Sequence, residues 1–429
     1  MSYLQYYDQY KYLVRSGRMP YPFFKPYPSP IPNLCNNGYN DVYCGFPFCD
    51  YYYDKCLDPK PDPDLCCLQN DCLTYDVTPY QDPSCYMQFT MEKLVSNVPE
   101  FARNLDPNLW NPWGIIVVND IIWVTNTNSG FITSYTLTGK PLYPIINVFG
   151  PIGNIAQPTG IAYNVNIDAF KVVQGPIKGS SSFLIVTRDG TINGYNAQVD
   201  PNNSIMLVDN SARNSVYTGV AVANLISDLC RNTFLNNYLY AADFYNKRID
   251  VYDGRLNRIN NFLFIDEHAA DPIPQDFAPN NVTLINDSVY VCYAKQNPDN
   301  NQYEQVGPGN GYISIFTYEG KFVRRFASRG PLNVPWGITL APSVFGYPAG
   351  SVMVANFGSG MINIFTTDGQ YLGNLRNECG NEICFKNPRG LTPNPIYHKI
   401  LYWSGSENAL RTGFIGSINS KLTNINIDL

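Results

Sequence analysis

The sequence predicts an all-β protein: a six-bladed β-propeller preceded by a Cys/Tyr/Pro-rich, disulfide-stapled N-terminal arm. The first observation is a short motif, Asn-Pro-Trp-Gly-Ile, which recurs in varied form at residues 111–115, 157–161, 216–220, 278–282, 334–338 and 387–391. The second is the spacing of roughly 45 to 60 residues between copies, which is typical of blades with four strands. The third is that each copy leads directly into an apolar strand.

The residue types of the motif suit the first strand of a blade. Proline gives up an N–H donor at the first residue of a strand, where no ladder bond is needed. Glycine lets neighbouring backbones approach closely where blades converge. Asp-Gly and Glu-Gly pairs between later strands fit hairpin turns that need a positive φ.

The ends of the repeat region predict how the ring closes. Blade six has no obvious outer strand before the chain ends, and a strand at residues 87–96 has no blade of its own. Pairing the two would leave no strand edge open, so we expect closure by the N-terminal strand. The alternative is that residues 422–427 supply the missing strand.

Composition excludes several classes of function. The chain has 429 residues, 15% of them charged, and a net charge of −6, whereas nucleic-acid binding needs a basic face. A run of about 18 apolar residues, which a membrane span would need, does not occur. The N-terminus lacks the apolar segment of a secretory signal, so either the chain is not exported by that route or this numbering begins after processing.

The region before the propeller divides into two parts. Residues 1–34 are rich in tyrosine and proline, so this arm is either disordered or an extended docking segment for a protein partner. Residues 35–86 contain eight cysteines in a segment too poor in aliphatic residues to form a core alone. The candidates for disulfide bonds there are Cys35, Cys44, Cys49, Cys56, Cys66, Cys67, Cys72 and Cys85.

An even cysteine count favours disulfides over the two alternatives, a zinc site and reduced thiols. The segment has no Cys-x-x-Cys motif, and the only histidines, His268 and His398, lie far away. Cys379 and Cys384 are close enough in sequence to form a further disulfide, whereas Cys292 lies in a strand and is expected to be a buried free thiol. A disulfide-rich segment such as residues 35–86 requires an oxidising environment. By analogy, virion proteins of large cytoplasmic DNA viruses are one class of protein that meets this requirement.

Longer stretches of sequence resemble a known family. Tyr-Ala-Ala-Asp-Phe at 240–244, Gly-Pro-Gly-Asn-Gly-Tyr at 307–312 and Ala-Asn-Phe-Gly-Ser-Gly-Met-Ile-Asn at 355–363, together with Asn-Pro-Trp-Gly, resemble an uncharacterised family of bacterial six-bladed propellers with NHL-like blades. The resemblance runs from about residue 87 to the end. The composition and the unusual N-terminal arm also resemble those of a giant-virus relative of that family. The family resemblance implies the fold and no established activity.

Residues just before strand one and just after strand two of a blade share one face near the central channel. This places eight side chains around one predicted channel mouth, where two tryptophans with amides and charges would suit a glycan or a peptide: Trp113, Asn126, Arg188, Asp243, Lys295, Trp336, Asn356 and Arg389. The competing interpretation is structural, with tryptophans that fill space between blades and amides that cap turns.

An enzymatic role has little support in the sequence. Asp243 is the only carboxylate of the predicted mouth, too few for two-carboxylate acid–base chemistry or a catalytic zinc site. No cofactor is expected, apart from a calcium ion in the channel as an alternative that Asn126, Asp243 and Asn356 would hold.

The sequence therefore predicts a non-enzymatic interaction protein, anchored by its arm in a virion or extracellular assembly. The alternative is a ligand-binding protein or a metal-dependent lyase or hydrolase of the NHL-propeller type.

Overall fold

The computed structural model describes residues 88–228, 233–377, 380–407 and 411–421. The predicted arm (1–34) and the predicted cysteine-rich segment (35–86) lie outside these residues, as does the alternative closing strand at 422–427. The disulfide pairing of the eight cysteines before residue 86 therefore stays a prediction.

Strands fill the described chain in six repeating groups. Two strands come before the first group: β1 (Gln88–Ser96) and β2 (Asn104–Leu105). Blade one consists of β3 (Pro112–Val118), β4 (Ile121–Asn126), β5 (Phe131–Thr136) and β6 (Pro141–Asn147). Blade two consists of β7 (Pro158–Tyr163), β10 (Phe183–Thr187), β11 (Thr191–Tyr195) and β12 (Ile205–Asp209), with the inserted hairpin β8 (Lys171–Gln174) and β9 (Ile177–Ser180). Blade three consists of β13 (Tyr217–Asp228), β14 (Thr233–Asp243), β15 (Arg248–Asp253) and β16 (Arg258–Ile259).

The second half of the ring repeats the pattern. Blade four consists of β17 (Phe277–Ile285), β18 (Ser288–Lys295), β19 (Gly311–Phe316) and β20 (Phe322–Ser328). Blade five consists of β21 (Pro335–Leu340), β22 (Val352–Asn356), β23 (Ile362–Phe365) and β24 (Tyr371–Asn374). Blade six contains β25 (Pro388–Pro393), β26 (Ile400–Glu407) and β27 (Thr412–Lys421). Short 3-10 turns lie between strands at Pro151–Gly153 and Ser211–Arg213.

The ring closes through the N-terminal strand, as predicted. In blade six the order of strands is β2-β1-β27-β26-β25, and β1 runs antiparallel to β27 from the pair Gln88–Lys421 to the pair Ser96–Phe414. Because this pairing joins the two ends of the propeller region, the outer edge of β27 is not left exposed.

The core is divided between the blades. The main apolar clusters of the described residues lie one at each interface between neighbouring blades, including the interface of blade six with blade one. Leu94, Val95 and Ile415 from blade six, for example, pack with Ile115 and Val124 from blade one. The six-bladed all-β prediction is confirmed.

The glycines of the motif explain how closely the inner strands converge. A Cβ atom at Gly337 of blade five would lie 2.2 Å from the carbonyl oxygen of Arg389 in blade six. A Cβ atom at Gly390 would lie 2.5 Å from the carbonyl oxygen of Trp113 in blade one. These contacts are too close for any side chain, so the motif requires glycine here for close approach, as the sequence predicts.

Most of the predicted hairpin turns also have the expected geometry. Gly139, Gly190, Gly320 and Gly369 all have φ between 77° and 95°. The Asp253-Gly254 pair is an exception, because the positive φ in that turn falls on Leu256.

The two predictions about later cysteines have different outcomes. Cys292 is a fully buried free thiol, as predicted, and burial raises its pKa. Cys384 is assigned to a disulfide, whereas Cys379 lies outside the described residues, so the pairing of these two stays a prediction.

Candidate functional site

The third residue of the motif determines what fills the central channel. In the six blades this position is occupied, in order, by Trp113, Thr159, Thr218, Asn280, Trp336 and Arg389. All six side chains are buried. Two of the three small polar members bond to the neighbouring inner strand: the Thr159 hydroxyl donates to the carbonyl oxygen of Tyr217 at 2.8 Å, and the Asn280 amide donates to that of Pro335 at 3.1 Å.

The large members of the set meet one another across the channel. The rings of Trp113 in blade one and Trp336 in blade five contact edge to face, with their centroids 6.0 Å apart. Trp336 Nε1 donates a hydrogen bond of 2.9 Å to the carbonyl oxygen of Thr218 in blade three. Since these contacts link blades that are not neighbours, the side chains lie in the channel itself and fill it at this level.

Arg389 occupies the third large position and is enclosed on every side. Its guanidinium carbon lies 3.5 Å from the ring centroid of Trp113 and 3.9 Å from that of Phe357, so the cation stacks between two aromatic rings. Its Nη1 lies 2.8 Å from Oε1 of Glu304, and the two side chains are 2% and 6% exposed. Arg389 is therefore a buried cation with one carboxylate partner.

Glu304 reaches this position on a long loop between β18 and β19 of blade four. Gln296, directly after β18, and Glu304 form an antiparallel bridge within the loop. The side-chain amide of Gln296 donates to the carbonyl oxygen of Phe244 at 2.8 Å, which ties the loop to blade three. The loop, residues 296–310, thus covers the channel entrance; we call it the entrance loop.

A second arginine holds the entrance loop from blade two. Arg188 Nη2 donates to the carbonyl oxygen of Gln302 at 2.8 Å, and its guanidinium carbon lies 4.4 Å from the ring centroid of Tyr303. The same guanidinium lies 5.7 Å from the ring of Trp113. Blades two, four and six therefore meet over the channel through these contacts.

Electrostatics at the entrance favour an ionised carboxylate. Burial alone would raise the pKa of Glu304, but the cations of Arg389 and Arg188 outweigh burial and hold that pKa below the ordinary value of 4.5. Burial lowers the pKa of Arg389, and the Glu304 carboxylate opposes that shift. Glu304 is thus negatively charged at neutral pH.

Three of the predicted mouth residues have a structural role. Asn126, Asp243 and Asn356 end the second strands of blades one, three and five, and all three are fully buried. The Asp243 carboxylate accepts hydrogen bonds from the backbone N–H of Val216 at 3.1 Å, and Asn356 Oδ1 accepts one from that of Asn333 at 2.9 Å. The bonds of Asp243 and Asn356 stay within a blade and fix the loop that enters its first strand. Asn126 instead donates to the carbonyl oxygen of Phe131 at 3.2 Å and to the hydroxyl of Thr133 at 2.9 Å, in the third strand of its blade.

Lys295 lies on the other side of the entrance loop. It pairs with Asp276 at 3.4 Å and lines a cleft of 560 Å³ between blades three and four. Lys247 and the amides of Asn297 and Asn301 line the same cleft. The structure therefore brings Trp113, Trp336, Arg389 and Arg188 together and places Lys295 in an adjoining polar cleft.

Sequence reasoning missed the residues that complete the entrance. Glu304 and Tyr303 belong to a loop without periodicity, and Phe357 follows the predicted Asn356 directly. One signal was present in the sequence: an arginine at the channel position of the sixth motif needs a counter-charge, and the entrance loop contains two acidic residues, Asp299 and Glu304.

Within the four described ranges, no three His, Cys, Asp or Glu side chains come together as a metal site would need. Over those ranges no helix is both long enough and apolar enough to cross a membrane.

The chain is similar to three uncharacterised proteins of Acanthamoeba polyphaga mimivirus. Protein L690 is 36% identical over 368 residues, which cover 85% of this chain and 95% of L690. The chain belongs to this mimivirus family. Protein R640 is 42% identical over 330 residues, 77% of this chain, and the chain spans 59% of R640; protein R648 is 36% identical over 344 residues, 80% of this chain and 83% of R648.

No family model matches the chain. Among solved structures, that of streptogramin B lyase has a TM-score of 0.44 at 14% identity and covers 78% of this chain and 99% of its own. A Bacteroides thetaiotaomicron protein of unknown function has a TM-score of 0.48 at 10% identity, covering 78% and 76%. The predicted resemblance to a propeller family with a giant-virus member is confirmed.

Proposed function

We propose that this member of the mimivirus family is a non-enzymatic interaction protein, a propeller scaffold anchored in the virion through its cysteine-rich arm. The observation that carries the proposal is the filled channel. Where a propeller enzyme would keep space for its substrate, Trp113 contacts both Trp336 and Arg389, and Arg389 pairs with Glu304 of the entrance loop. The proposal assigns binding to the propeller face and anchoring to residues 1–86.

The composition of the arm supports the assignment of anchoring to it. Tyrosines carry large contact area with few rotatable bonds, which favours interfaces. Disulfides within residues 35–86 would hold a segment that has too little apolar material for a core. Membership of a giant-virus family is compatible with a location in the particle.

The proposal is tested in purified virus particles by non-reducing mass spectrometry. A version that lacks residues 1–85 is expected to fold and to be lost from the particle, because β1 and all later strands remain. Serine substitutions of the eight arm cysteines are expected to have the same effect, whereas the matched control, Cys292→Ser, leaves incorporation unchanged. Normal incorporation of the truncated protein would contradict the proposal.

The second candidate function is small-ligand binding, and the cleft beside Lys295 favours it. Its lining of lysines, amides and Asp276 offers hydrogen-bond donors and acceptors of the kind that sugars use. Calorimetric titration with neutral and acidic sugars, compared between wild type and Lys247→Ala, tests this function; the absence of heat above dilution would exclude these ligands. Metal analysis of the purified protein tests the calcium alternative.

A further inference from the structure

The channel entrance carries more positive charge than its own loop neutralises. Arg389 and Arg188 both face Glu304, and their cations together hold the pKa of that carboxyl low. Two further donors, Arg389 Nε and Trp113 Nε1, are buried without a hydrogen-bond partner among the described residues. A buried donor without a partner is costly, so the entrance has capacity for an acceptor group that the described residues do not provide.

Two consecutive residues of the entrance loop occupy two adjacent positions in this entrance. The ring of Tyr303 stacks on the guanidinium of Arg188 at 4.4 Å, and the carboxylate of Glu304 bonds to Arg389 at 2.8 Å. An arginine that stacks on an aromatic ring and an arginine that binds a carboxylate form two different recognition elements. Side by side, they match an aromatic residue followed by an acidic one.

The entrance loop can be exchanged without opening a blade. Its tip, residues 298–303, is exposed, and Tyr303 is 46% exposed. The loop begins only after β18 has ended, so its displacement leaves the four strands of blade four paired. A displaced entrance loop loses its contacts with Arg188 and Arg389. A competing segment with the same side-chain chemistry would make equivalent contacts with the two arginines.

We propose that the channel entrance is a receptor site for a protein segment in which an aromatic residue directly precedes an acidic one. Tyr303 and Glu304 are the built-in occupant of this site, and the partner segment replaces them. The inference rests on the proposed interaction function and names the class of partner that this face binds. The charge of the site excludes basic segments, because two arginines would repel them.

The experiment uses a full-length chain whose site has been vacated by Tyr303→Ala together with Glu304→Gln. The probe is a fluorescently labelled peptide that copies residues 299–307, which contain the Tyr-Glu pair. In fluorescence anisotropy we expect the peptide to bind the vacated variant at least tenfold more tightly than wild type. Replacing Glu by Gln in the peptide, or adding Arg188→Ala to the protein, is expected to weaken binding at least tenfold.

Controls keep the outcome decisive. Circular dichroism and the thermal midpoint establish that the vacated variant is folded. If it is not, Tyr303→Ala alone serves; because it leaves the ion pair intact and opens only the Arg188 position, the comparison peptide then has its Tyr replaced by Ala. A folded variant that binds the peptide no better than wild type, a double variant that binds the Gln peptide equally well, or a Tyr303→Ala variant that binds the Ala peptide equally well would overturn the inference. If the peptide test fails while incorporation into particles still depends on residues 1–85, the inference about the channel entrance is wrong and the proposed function stands.

Discussion

Arg389 and Glu304 form an ion pair of 2.8 Å that joins blade six to the entrance loop of blade four. The guanidinium is also held between the rings of Trp113 and Phe357. Both charges are removed from water, so each depends on the other to offset its desolvation. This pair closes the channel entrance.

Replacing Glu304 by glutamine is expected to lower the free energy of unfolding by about 3 kcal/mol, because Arg389 would remain as a buried cation without a counter-charge. Urea unfolding at pH 7 measures the change. The matched control is Glu382→Gln, which removes the partner of Arg376 from a pair whose side chains are 40% and 44% exposed. That change is expected to cost less than about 1 kcal/mol, and equal losses in the two variants would contradict the role of burial.

The stabilisation by Glu304 is also expected to depend on pH. Because the folded-state pKa of Glu304 is below the ordinary value of 4.5, the ion pair stabilises the fold fully above that value. The contribution is lost as the pH falls below 4.5 and through the folded-state pKa. Thermal midpoints of wild type and Glu304→Gln are therefore expected to differ most at pH 7 and to approach each other in acid; a difference that grows in acid would contradict this.

Asp243 is expected to lose less stability as asparagine than as alanine. The equivalent positions of blades one and five are Asn126 and Asn356, and Asp243 Oδ1 accepts its bond from Val216 as an amide oxygen also could. The other carboxylate oxygen, Oδ2, accepts a hydrogen bond from the side-chain amide of Asn246 at 2.8 Å and pairs with Arg248 at 3.4 Å, contacts that an amide NH2 group does not replace. Asp243→Asn should therefore lower the free energy of unfolding by about 1 kcal/mol and Asp243→Ala by about 2–3 kcal/mol; equal losses in urea unfolding would show that the bond to Val216 contributes nothing.

The motif glycines are expected to be the most sensitive small residues of the ring. Gly337→Ala would place a methyl group 2.2 Å from the carbonyl oxygen of Arg389, so the inner strands of blades five and six must separate. We expect a loss of at least about 3 kcal/mol, in the range of severe core changes. The control is Gly150→Ala, where the φ of −96° suits any residue and the nearest atom is 3.5 Å away. Chemical denaturation measures both variants, and an unaffected Gly337→Ala would contradict the close approach.

Removal of β1 is expected to open the ring. Deleting residues 1–87 leaves every described strand in place and should leave the thermal midpoint unchanged. Deleting residues 1–97 removes the buried side chains of Phe89, Leu94 and Val95. At about 2 kcal/mol for each side chain, the loss is about 6 kcal/mol, and β27 becomes an open edge. Size-exclusion chromatography should then detect association; a monomer of unchanged stability would contradict closure by β1.

The sequence predicts the ring better than the site. Each blade repeats a local pattern that can be recognised in the sequence. The strand at 87–96 could be assigned because it has no blade of its own and blade six has no outer strand, so pairing them satisfies both. Trp113, Trp336 and Arg389 are also predictable, since they occupy one motif position. The inserted β8–β9 hairpin of blade two is not predictable, because it interrupts the repeat.

The pairing of Arg389 with Glu304 lies beyond local reasoning, because 85 residues separate the two and the loop has no periodicity. Asn126, Asp243 and Asn356 show a different limit. Their place at the ends of second strands predicts a shared face, but the orientation of each side chain depends on hydrogen-bonding groups within its own blade.

A double-mutant cycle between Glu304→Gln and Arg389→Met tests the closure of the channel entrance most directly. Free energies of unfolding are measured at pH 7 for wild type, both single variants and the double variant. If the pair is buried as described, the double variant should be more stable than Glu304→Gln alone, with a coupling energy above about 2 kcal/mol. Additive effects of the two substitutions would mean that the entrance loop does not hold its carboxylate against Arg389, and would contradict the account.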